Sequence, residues 1–404
     1  MSPLLQNIRI WWQPPRQAGH RLEHRQVTFL ELFYDLVYVA IIAELSHALA
    51  SHIGWVELGR FVFLFVIVWW AWLNGTVYHD IHGNNDVRTR VLTFLQMFTV
   101  VAMAVFAHDA MGDSSVGFAL SYAAFQLILT YMWWRTGVHD PHHAVLSRPY
   151  SAAFLLNTLL FAGSAFVAPP LRFYMWGVAL VISLLLPMAT NVFGRFNAEA
   201  QEQMEISGPV GPSLVERFGL FSIIVLGEVI IGVVGGVTEH HDLTLEIGIT
   251  ALLGTLIAIA LWWLYFDFIS HRLPHLDMLS RGAWYYLHLP TTIGITIVGA
   301  SVLSLVEHAG EHVPVGLRWL FVAGAVIAVL GILLLARTIQ LSDADQHVRP
   351  SGSIAMLVSA VLIALLGLTS LEAVPLLLVA VILLLAPVFV ALRAWVAFQV
   401  ENSS

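Results

Sequence analysis

The apolar segment FLELFYDLVYVAIIAELSHALA, residues 29–50, contains three acids, Glu31, Asp35 and Glu44. A charged group at the centre of a bilayer costs on the order of 3 kcal/mol, so such a residue normally faces the interior of a helix bundle, where it pairs, takes up a proton or binds a ligand. At 1.5 Å per residue, the three acids lie about 3, 9 and 22 Å from the start of the segment. Asp35 and Glu44 are therefore deep enough to form a site for a proton or another cation, whereas Glu31 lies near the interface.

A second apolar segment repeats part of this pattern. It contains ERFGLFSIIVLGEVII, residues 216–231, in which Glu216 and Glu228 lie about 3 and 21 Å from the start of the segment at residue 214. These depths match those of the two glutamates of the first segment, whereas Asp35 has no equivalent because position 220 is leucine. Glu228 is therefore a further candidate for binding a proton or cation, and Glu216 is a further interfacial acid.

Each of these acids also has a purely structural explanation. The three deep acids could hold helices together through hydrogen bonds, with their carboxyls kept neutral by desolvation. The two shallow acids, Glu31 and Glu216, could pair with Arg25 and Arg217, or could cap the N-termini of helices, where negative charge is favoured. The sequence leaves both explanations open.

Two further residues could extend a proton path. Asp267 follows LWWLYF near the end of the span predicted over 246–270, and it could carry protons to the surface or be an ordinary interfacial aspartate after aromatic residues. His288 lies about 9 Å inside the next span, and an imidazole of ordinary pKa, about 6.5, suits proton relay. The alternative for His288 is a neutral ring bonded to a backbone carbonyl freed by Pro290.

Histidines and aspartates in two loops indicate a different kind of site, that of a metal-dependent enzyme. They lie in YHDIH and SHRLPHLD, each of which follows a Trp pair, although the 18 histidines of the chain are equally well explained as polar interfacial residues. The chain has no cysteine and no HExxH, GxSxG or GxxxxGK[ST] motif, so we predict no metal ligand, no cofactor and no ATP site. The six loop residues are His79, Asp80, His82, His271, His275 and Asp277.

The composition indicates that membrane-spanning helices position these residues. Hydrophobic residues make up 58% of the chain, charged residues make up 11%, and the mean hydropathy is +0.80, whereas a soluble domain is about one quarter charged. Apolar runs of about 20 residues, each able to cross a hydrocarbon core of about 30 Å, recur along the whole chain. The sequence therefore predicts an all-α polytopic membrane protein with about 12 transmembrane helices. The spans are 29–50, 58–80, 88–109, 114–135, 149–168, 171–194, 214–236, 246–270, 282–306, 314–336, 351–371 and 374–397.

The basic residues predict the orientation. All 18 are arginine. With the N-terminus inside, 14 of them fall on the cytoplasmic side and three on the opposite side, with Arg217 set aside as intramembrane or interfacial. We therefore predict a plasma-membrane protein with both termini in the cytoplasm. The cytoplasmic arginines form no dense patch, so we expect no nucleic-acid partner.

The two halves of the chain resemble each other. Besides the two acidic segments, WWAWLNGTVYHDIH and LWWLYFDFISHRLPH each place an Asp and two His after a Trp pair. This similarity predicts two parallel six-helix repeats related by a pseudo-two-fold axis along the membrane normal, with the acids between them. The predicted divisions are a cytoplasmic N-terminal segment 1–28, a first repeat 29–197, a cytoplasmic linker 198–213, a second repeat 214–397 and a cytoplasmic tail 398–404.

Three strings, FLELFYDLVYV, ERFGLFSIIVLGE and YYLHLPTTIGI, together resemble the bacterial low temperature requirement A family over about residues 20–395. The resemblance implies a multi-pass protein of the plasma membrane. The name of the family refers to a growth phenotype and not to an activity, so it leaves the chemistry to physical argument.

Three functions fit these observations. The first is a proton-coupled secondary transporter that uses intramembrane carboxylates. The second is an ion channel or proton leak with an acid-lined pore, and the segment from Arg25 to Asp35 is distantly similar to the start of endolysosomal potassium channels, without their exact signature. The third is an intramembrane His/Asp metal-dependent lipid-modifying enzyme. The predicted partners are the lipid bilayer and an unknown small solute or ion, including the proton, and no oligomeric state is predicted.

Overall fold

The computed structural model describes residues 11–19 and 25–403. Within those residues the chain forms thirteen helices and no strand, apart from an isolated bridge between Pro274 and Ile339. The predicted N-terminal segment 1–28 therefore lies partly outside the described residues. The helices are α1 (Phe29–Ser51), α2 (Trp55–His82), α3 (Val87–Ala107), α4 (Ser115–His139), α5 (Ala144–Ser164), α6 (Leu171–Gly194), α7 (Ala198–Ser207), α8 (Pro212–Thr238), α9 (Leu245–Phe268), α10 (Met278–Glu307), α11 (Val315–Leu335), α12 (Asp343–Leu366) and α13 (Ala373–Ser403).

The predicted spans correspond one by one to the helices other than α7. Among the described residues, ten helices are long and apolar enough to cross a membrane, by length and composition. The two long helices outside this set are α1, which contains the three acids, and α5. The prediction of an all-helical, multi-pass membrane protein is confirmed at this level, with ten candidate spans.

Some helices begin or end at residues other than the predicted ones, because of local sequence features. Helix α12 begins at Asp343, ahead of the predicted start at 351, because Ser342 and Asp345 form a capping box. Helix α13 continues to Ser403 because the predicted tail contains no glycine or proline to end it. The predicted linker contains the short helix α7, which starts where the Asn197 side chain accepts a hydrogen bond from the backbone N–H of Ala200.

The chain divides into two compact units. The first contains the described residues up to Glu44 and the range Phe63–Arg217, and the second contains Leu45–Val62 and the described residues from Phe218 onward. The boundaries fall inside α1, α2 and α8 and not at the predicted linker 198–213. The two parallel six-helix repeats therefore stay a prediction from the sequence.

In the first unit, the N-terminal residues complete the end of α2. The backbone N–H of Arg16 donates to the carbonyl of His82 at 3.0 Å, and its guanidinium donates to the carbonyls of Asp80 and Ile81. The last carbonyls of a helix have no partner within the helix, and a cation also interacts favourably with the negative end of the helix dipole. The segment 11–19 thus fixes the end of the helix that carries Asp80.

In the second unit, α10 is the central helix, since residues 291–306 are all buried. Helix α8 packs closely against it through small residues. A Cβ atom added at Gly232 would lie 2.7 Å from the carbonyl oxygen of Gly299, and one added at Gly236 would lie 2.6 Å from Val306. The GxxxG spacing of Gly232 and Gly236 therefore allows the two helices to pack closely.

Candidate functional site

Asp35 is 1% exposed, and both of its carboxylate oxygens are engaged. The Arg217 guanidinium donates from Nη2 to Oδ1 at 2.5 Å and from Nε to Oδ2 at 3.1 Å. The indole Nε1 of Trp72 donates to Oδ1 at 2.8 Å. A guanidinium that matches a carboxylate with two parallel bonds forms one of the strongest side-chain pairs in proteins. The aspartate that lacks an equivalent in the second half of the sequence therefore has a counter-charge, and that counter-charge is Arg217.

Glu31 lies one turn before Asp35 on the same face of α1, because residues four apart are neighbours on a helix. It starts the helix through a capping box, in which its carboxylate accepts from the Thr28 N–H at 2.9 Å while the Thr28 hydroxyl accepts from the Glu31 N–H at 3.3 Å. The carboxylate also pairs with Arg25 and lies 3.8 Å from Nη1 of Arg217. Both structural roles considered for Glu31, pairing and capping, are confirmed.

Asp80, near the end of α2, is the third buried acid of this region. Its Oδ1 accepts from Nη1 of Arg25 at 3.1 Å and from the hydroxyl of Ser213 at 2.7 Å. The same arginine therefore joins Asp80 to Glu31. The residues just before α1 and the end of α2 are thereby connected through one guanidinium.

These contacts form a row of alternating charges, which we name the charge chain. All of its contacts lie within the first unit. Three carboxylates alternate with two guanidinium groups, so the fully ionised row carries one net negative charge. The exposed fraction of the side chains falls from 14% at Arg25 to 0% at Arg217. In order, the members are Asp80, Arg25, Glu31, Arg217 and Asp35.

Two tyrosines border the inner end of the charge chain. The hydroxyls of Tyr34 and Tyr38 lie 3.0 Å apart, and the Arg217 guanidinium carbon lies 5.6 Å from the centre of the Tyr34 ring. Gly75 of α2 makes room for this arrangement, since a Cβ atom there would overlap the Tyr34 hydroxyl. The glycine therefore allows an aromatic ring to lie over the cation.

The YHDIH motif is engaged in hydrogen bonds within the first unit. His79 contacts the carbonyl of Gly75 at 2.7 Å and the hydroxyl of Thr93 at 2.9 Å, which accounts for both ring nitrogens. His82 contacts the carbonyl of Arg16 at 2.9 Å. Across residues 11–19 and 25–403, no three His, Asp or Glu side chains are arranged to hold a metal ion.

Glu44 and Glu216 lie in more open surroundings. The Glu44 side chain is 44% exposed and lies 3.8 Å from Nδ1 of His108. Glu216 is exposed, although the adjacent Arg217 is fully buried. Neither glutamate therefore belongs to the charge chain. Glu31 and Glu216 lie at the same predicted depth in their segments, but one is buried and the other is exposed.

Glu228 is a buried acid of the second unit. It is 2% exposed, and its Oε1 has no hydrogen-bond partner. It lies where α8 packs closely against α10, since a Cβ atom added at Gly299 would lie 3.1 Å from the backbone of Glu228. A buried carboxyl without a counter-charge is costly when ionised.

Asp267 and His288 belong to different parts of the second unit. Asp267 is exposed, and its backbone carbonyl accepts from Arg272 at 2.7 Å. His288 is buried, with Nε2 3.0 Å from the Tyr265 hydroxyl and Nδ1 2.6 Å from the carbonyl of Trp284. Pro290 has no N–H to bond the carbonyl of Tyr286, four residues before it. The observed partner of His288 is instead the carbonyl of Trp284, two residues earlier in the helix. These bonds suit a neutral imidazole with fixed orientation.

Asp35 could be identified from the sequence, but its partners Arg217 and Trp72 were not predicted. The sequence also did not predict that Ser213 donates to Asp80. A usable signal was present, because a single arginine inside an apolar segment needs a buried anion nearby. The pairing of Arg25 with Asp80 had no local signal, since 55 positions separate them.

The fold and this row of buried charges define a polytopic, all-helical membrane protein with an ionic network inside the first unit. The chain matches the family described as bacterial low temperature requirement A protein over residues 26–394, and it belongs to that family. It is also similar to the uncharacterized protein RA0937 of Rhizobium meliloti (strain 1021), with 27% identity over 292 residues that cover 69% of each chain. No solved structure matches the chain. The protein is thus a multi-pass protein of a bacterial membrane.

Proposed function

We propose that the protein is a proton-coupled secondary transporter whose coupling site is the charge chain. The observation that supports this proposal is the unequal number of buried charges, three carboxylates against two guanidinium groups. One proton or one monovalent cation neutralises the row. Such an uncompensated charge at a buried site is typical of groups that bind and release a proton during transport.

Asp35 is the proposed proton acceptor. When ionised, it holds Arg217 with two hydrogen bonds. When protonated, it keeps at most one of these bonds, and the guanidinium can turn toward Glu31, whose carboxylate already lies 3.8 Å from Nη1. Proton uptake would in this way exchange one ion pair for another, which provides two discrete arrangements of α1 and α8.

The proposal includes an orientation and a solute. The distribution of arginine supports cytoplasmic termini. The net negative charge of the charge chain favours a cation, either an inorganic ion or a small organic amine, that competes with the proton for the same site. Glu228 is a second proposed proton site, on the same helix as Arg217 but in the second unit.

The test is reconstitution of the purified protein in proteoliposomes that contain a pH-sensitive dye, with a screen of inorganic cations and small amines. We expect saturable flux that depends on the pH gradient. Asp35→Asn should abolish the dependence on the gradient, and Glu228→Gln should reduce it. Glu216→Gln is the matched control, because it removes an exposed acid next to Arg217.

The outcomes separate the three functional classes. Normal, gradient-dependent flux in both Asp35→Asn and Glu228→Gln would contradict the proposal. Single-channel currents in planar bilayers would indicate a pore that uses the same acids. Stoichiometric zinc in the purified protein would instead favour the metal-dependent enzyme.

A further inference from the structure

A cavity of about 560 Å³ lies in the second unit, among the end of α9, the start of α12 and the middle of α13. Two of these helices are candidate membrane spans that end or begin here, Leu245–Phe268 and Asp345–Leu366. The ends of membrane-spanning helices lie at the level of the lipid headgroups. The cavity is therefore placed at the boundary between headgroups and hydrocarbon.

Arg272 and Asp345 form a closed ion pair on one side of the cavity. Arg272 donates from Nε and Nη2 to the two carboxylate oxygens of Asp345 at 3.1 and 2.7 Å, and its Nη1 donates to the carbonyl of Asp267 at 2.7 Å. Asp345 also accepts from the backbone N–H and the hydroxyl of Ser342. Each nitrogen of this arginine therefore already donates one hydrogen bond within the protein, and the charge of this aspartate is already paired.

Arg349 lies one turn after Asp345 and also lines the cavity. Its Nη2 is buried and has no hydrogen-bond partner. Asp345, the acid one turn before it, pairs with Arg272 through both of its oxygens. A buried guanidinium nitrogen without a partner is costly, and an anionic oxygen that binds this cavity-lining arginine would offset that cost.

The rest of the cavity wall is apolar and continues onto an apolar surface. Trp263 of α9 and Val388 and Trp395 of α13 line the cavity, and the Trp263 ring lies 6.3 Å from the ring of Phe389. Phe389 and Trp395 are 56% and 46% exposed on α13. Indole rings at this depth are typical of the membrane interface. The cavity therefore combines one free cationic donor with a path along which hydrocarbon chains can leave.

We propose that this cavity binds the phosphate of an anionic phospholipid. The Arg349 guanidinium donates to the phosphate oxygens, and the acyl chains lie along the exposed apolar side chains of α9 and α13. Asp267, the other acid in the wall, disfavours additional negative charge, so a headgroup with one net negative charge fits better than a polyanionic one. This site lies in the second unit and is independent of the charge chain and of the transport proposal.

The test measures lipid binding to purified, delipidated protein in neutral detergent, by native mass spectrometry with phosphatidylglycerol and phosphatidylcholine of identical chains. We expect phosphatidylglycerol to bind more tightly. Arg349→Gln should weaken its binding about tenfold, as expected when one charge-assisted contact is lost, and should weaken phosphatidylcholine less, because the choline ammonium offsets the charge of that phosphate. Arg349→Lys should retain part of the preference. Arg393→Gln is the matched control, because Arg393 is exposed on α13 but does not line the cavity.

A second variant and a soluble competitor make the result decisive. Ala391→Trp fills the cavity without altering Arg349 and should also remove the preference. Soluble glycerol phosphate should fail to compete. The proposal is overturned if Arg349→Gln and Arg393→Gln weaken binding equally, if the two lipids bind equally to the unmodified protein, or if glycerol phosphate competes as well as the lipid, which would indicate a site for a soluble phosphate ester.

Discussion

The guanidinium of Arg217 holds the carboxylate of Asp35 with two hydrogen bonds although 182 positions separate the two residues in the chain. Neither residue is more than 1% exposed. A charge in such surroundings depends on its partner, because the ion pair replaces the water that each group has lost.

Removing one member of the pair should destabilise the protein more than removing both. Asp35→Asn leaves a buried guanidinium with one carboxylate fewer, at an expected cost of about 3–5 kcal/mol. In Asp35→Asn combined with Arg217→Gln, both members of the ion pair are removed together, so the combined cost should be smaller than the sum of the single costs. Thermal unfolding in detergent measures both effects. Additive costs would show that the two side chains do not interact energetically.

The indole donor of Trp72 should contribute to the same site. Trp72→Phe removes the hydrogen bond to Asp35 while keeping most of the ring, and we expect a loss of about 1–3 kcal/mol. Trp69→Phe is the matched control, because its indole Nε1 is buried without a hydrogen-bond partner. The apparent Tm should decrease more in Trp72→Phe than in Trp69→Phe. Equal effects would mean that ring volume, and not the hydrogen bond, determines the loss.

The close packing of α8 on α10 should tolerate no added methyl group at Gly232. A Cβ atom there meets the backbone carbonyl of Gly299, which cannot turn aside as a side chain can, so Gly232→Ala should destabilise the protein by about 1–3 kcal/mol. Gly227→Ala on the same helix should be neutral or slightly stabilising, because nothing lies within 4 Å of its Cβ position. The reverse order of Tm values would exclude this contact as the reason for the glycine.

His143 should make stability depend on pH. Burial lowers the pKa of this histidine, and the hydrogen bond with Gln203 and the nearby Asp140 offset only part of that effect. The folded protein then binds fewer protons than the unfolded chain, so stability is full above the ordinary pKa of about 6.5 and falls as the pH decreases below it. His143→Gln should flatten the decrease of apparent Tm between pH 7.5 and pH 5. His142→Gln should leave it unchanged, since the His142 side chain is 85% exposed.

Local features of the structure could be predicted from the sequence because they depend on neighbouring residues. The apolar runs predict the helices, the spacing of Gly232 and Gly236 predicts close packing, and the proximity of Arg25 to Glu31 predicts an ion pair. The bonds of Asp35 could not be predicted in this way. They depend on which turn of α8 faces α1, and side-chain direction between distant helices has no signature in either segment alone.

Two glutamates at equivalent positions of the sequence repeat have different surroundings in the structure. Glu31 is buried and paired, whereas Glu216 is exposed, although the two lie at the same depth in similar segments. The capping box of Thr28 and the position of Arg25 account for the difference. A repeated pattern therefore predicts helices better than it predicts the role of a charged residue within them.

The separation between Asp35 and Arg217 also has a consequence for biosynthesis. At roughly 5–20 residues per second, the ribosome takes roughly 10–35 s to add the 182 positions between them. During that period α1 has been synthesised but Arg217 has not, so Asp35 has no arginine to pair with. Its carboxyl must then stay protonated or remain in contact with water at the insertion machinery. The ion pair between Asp35 of α1 and Arg217 of α8 can therefore form only after the start of α8 has been synthesised.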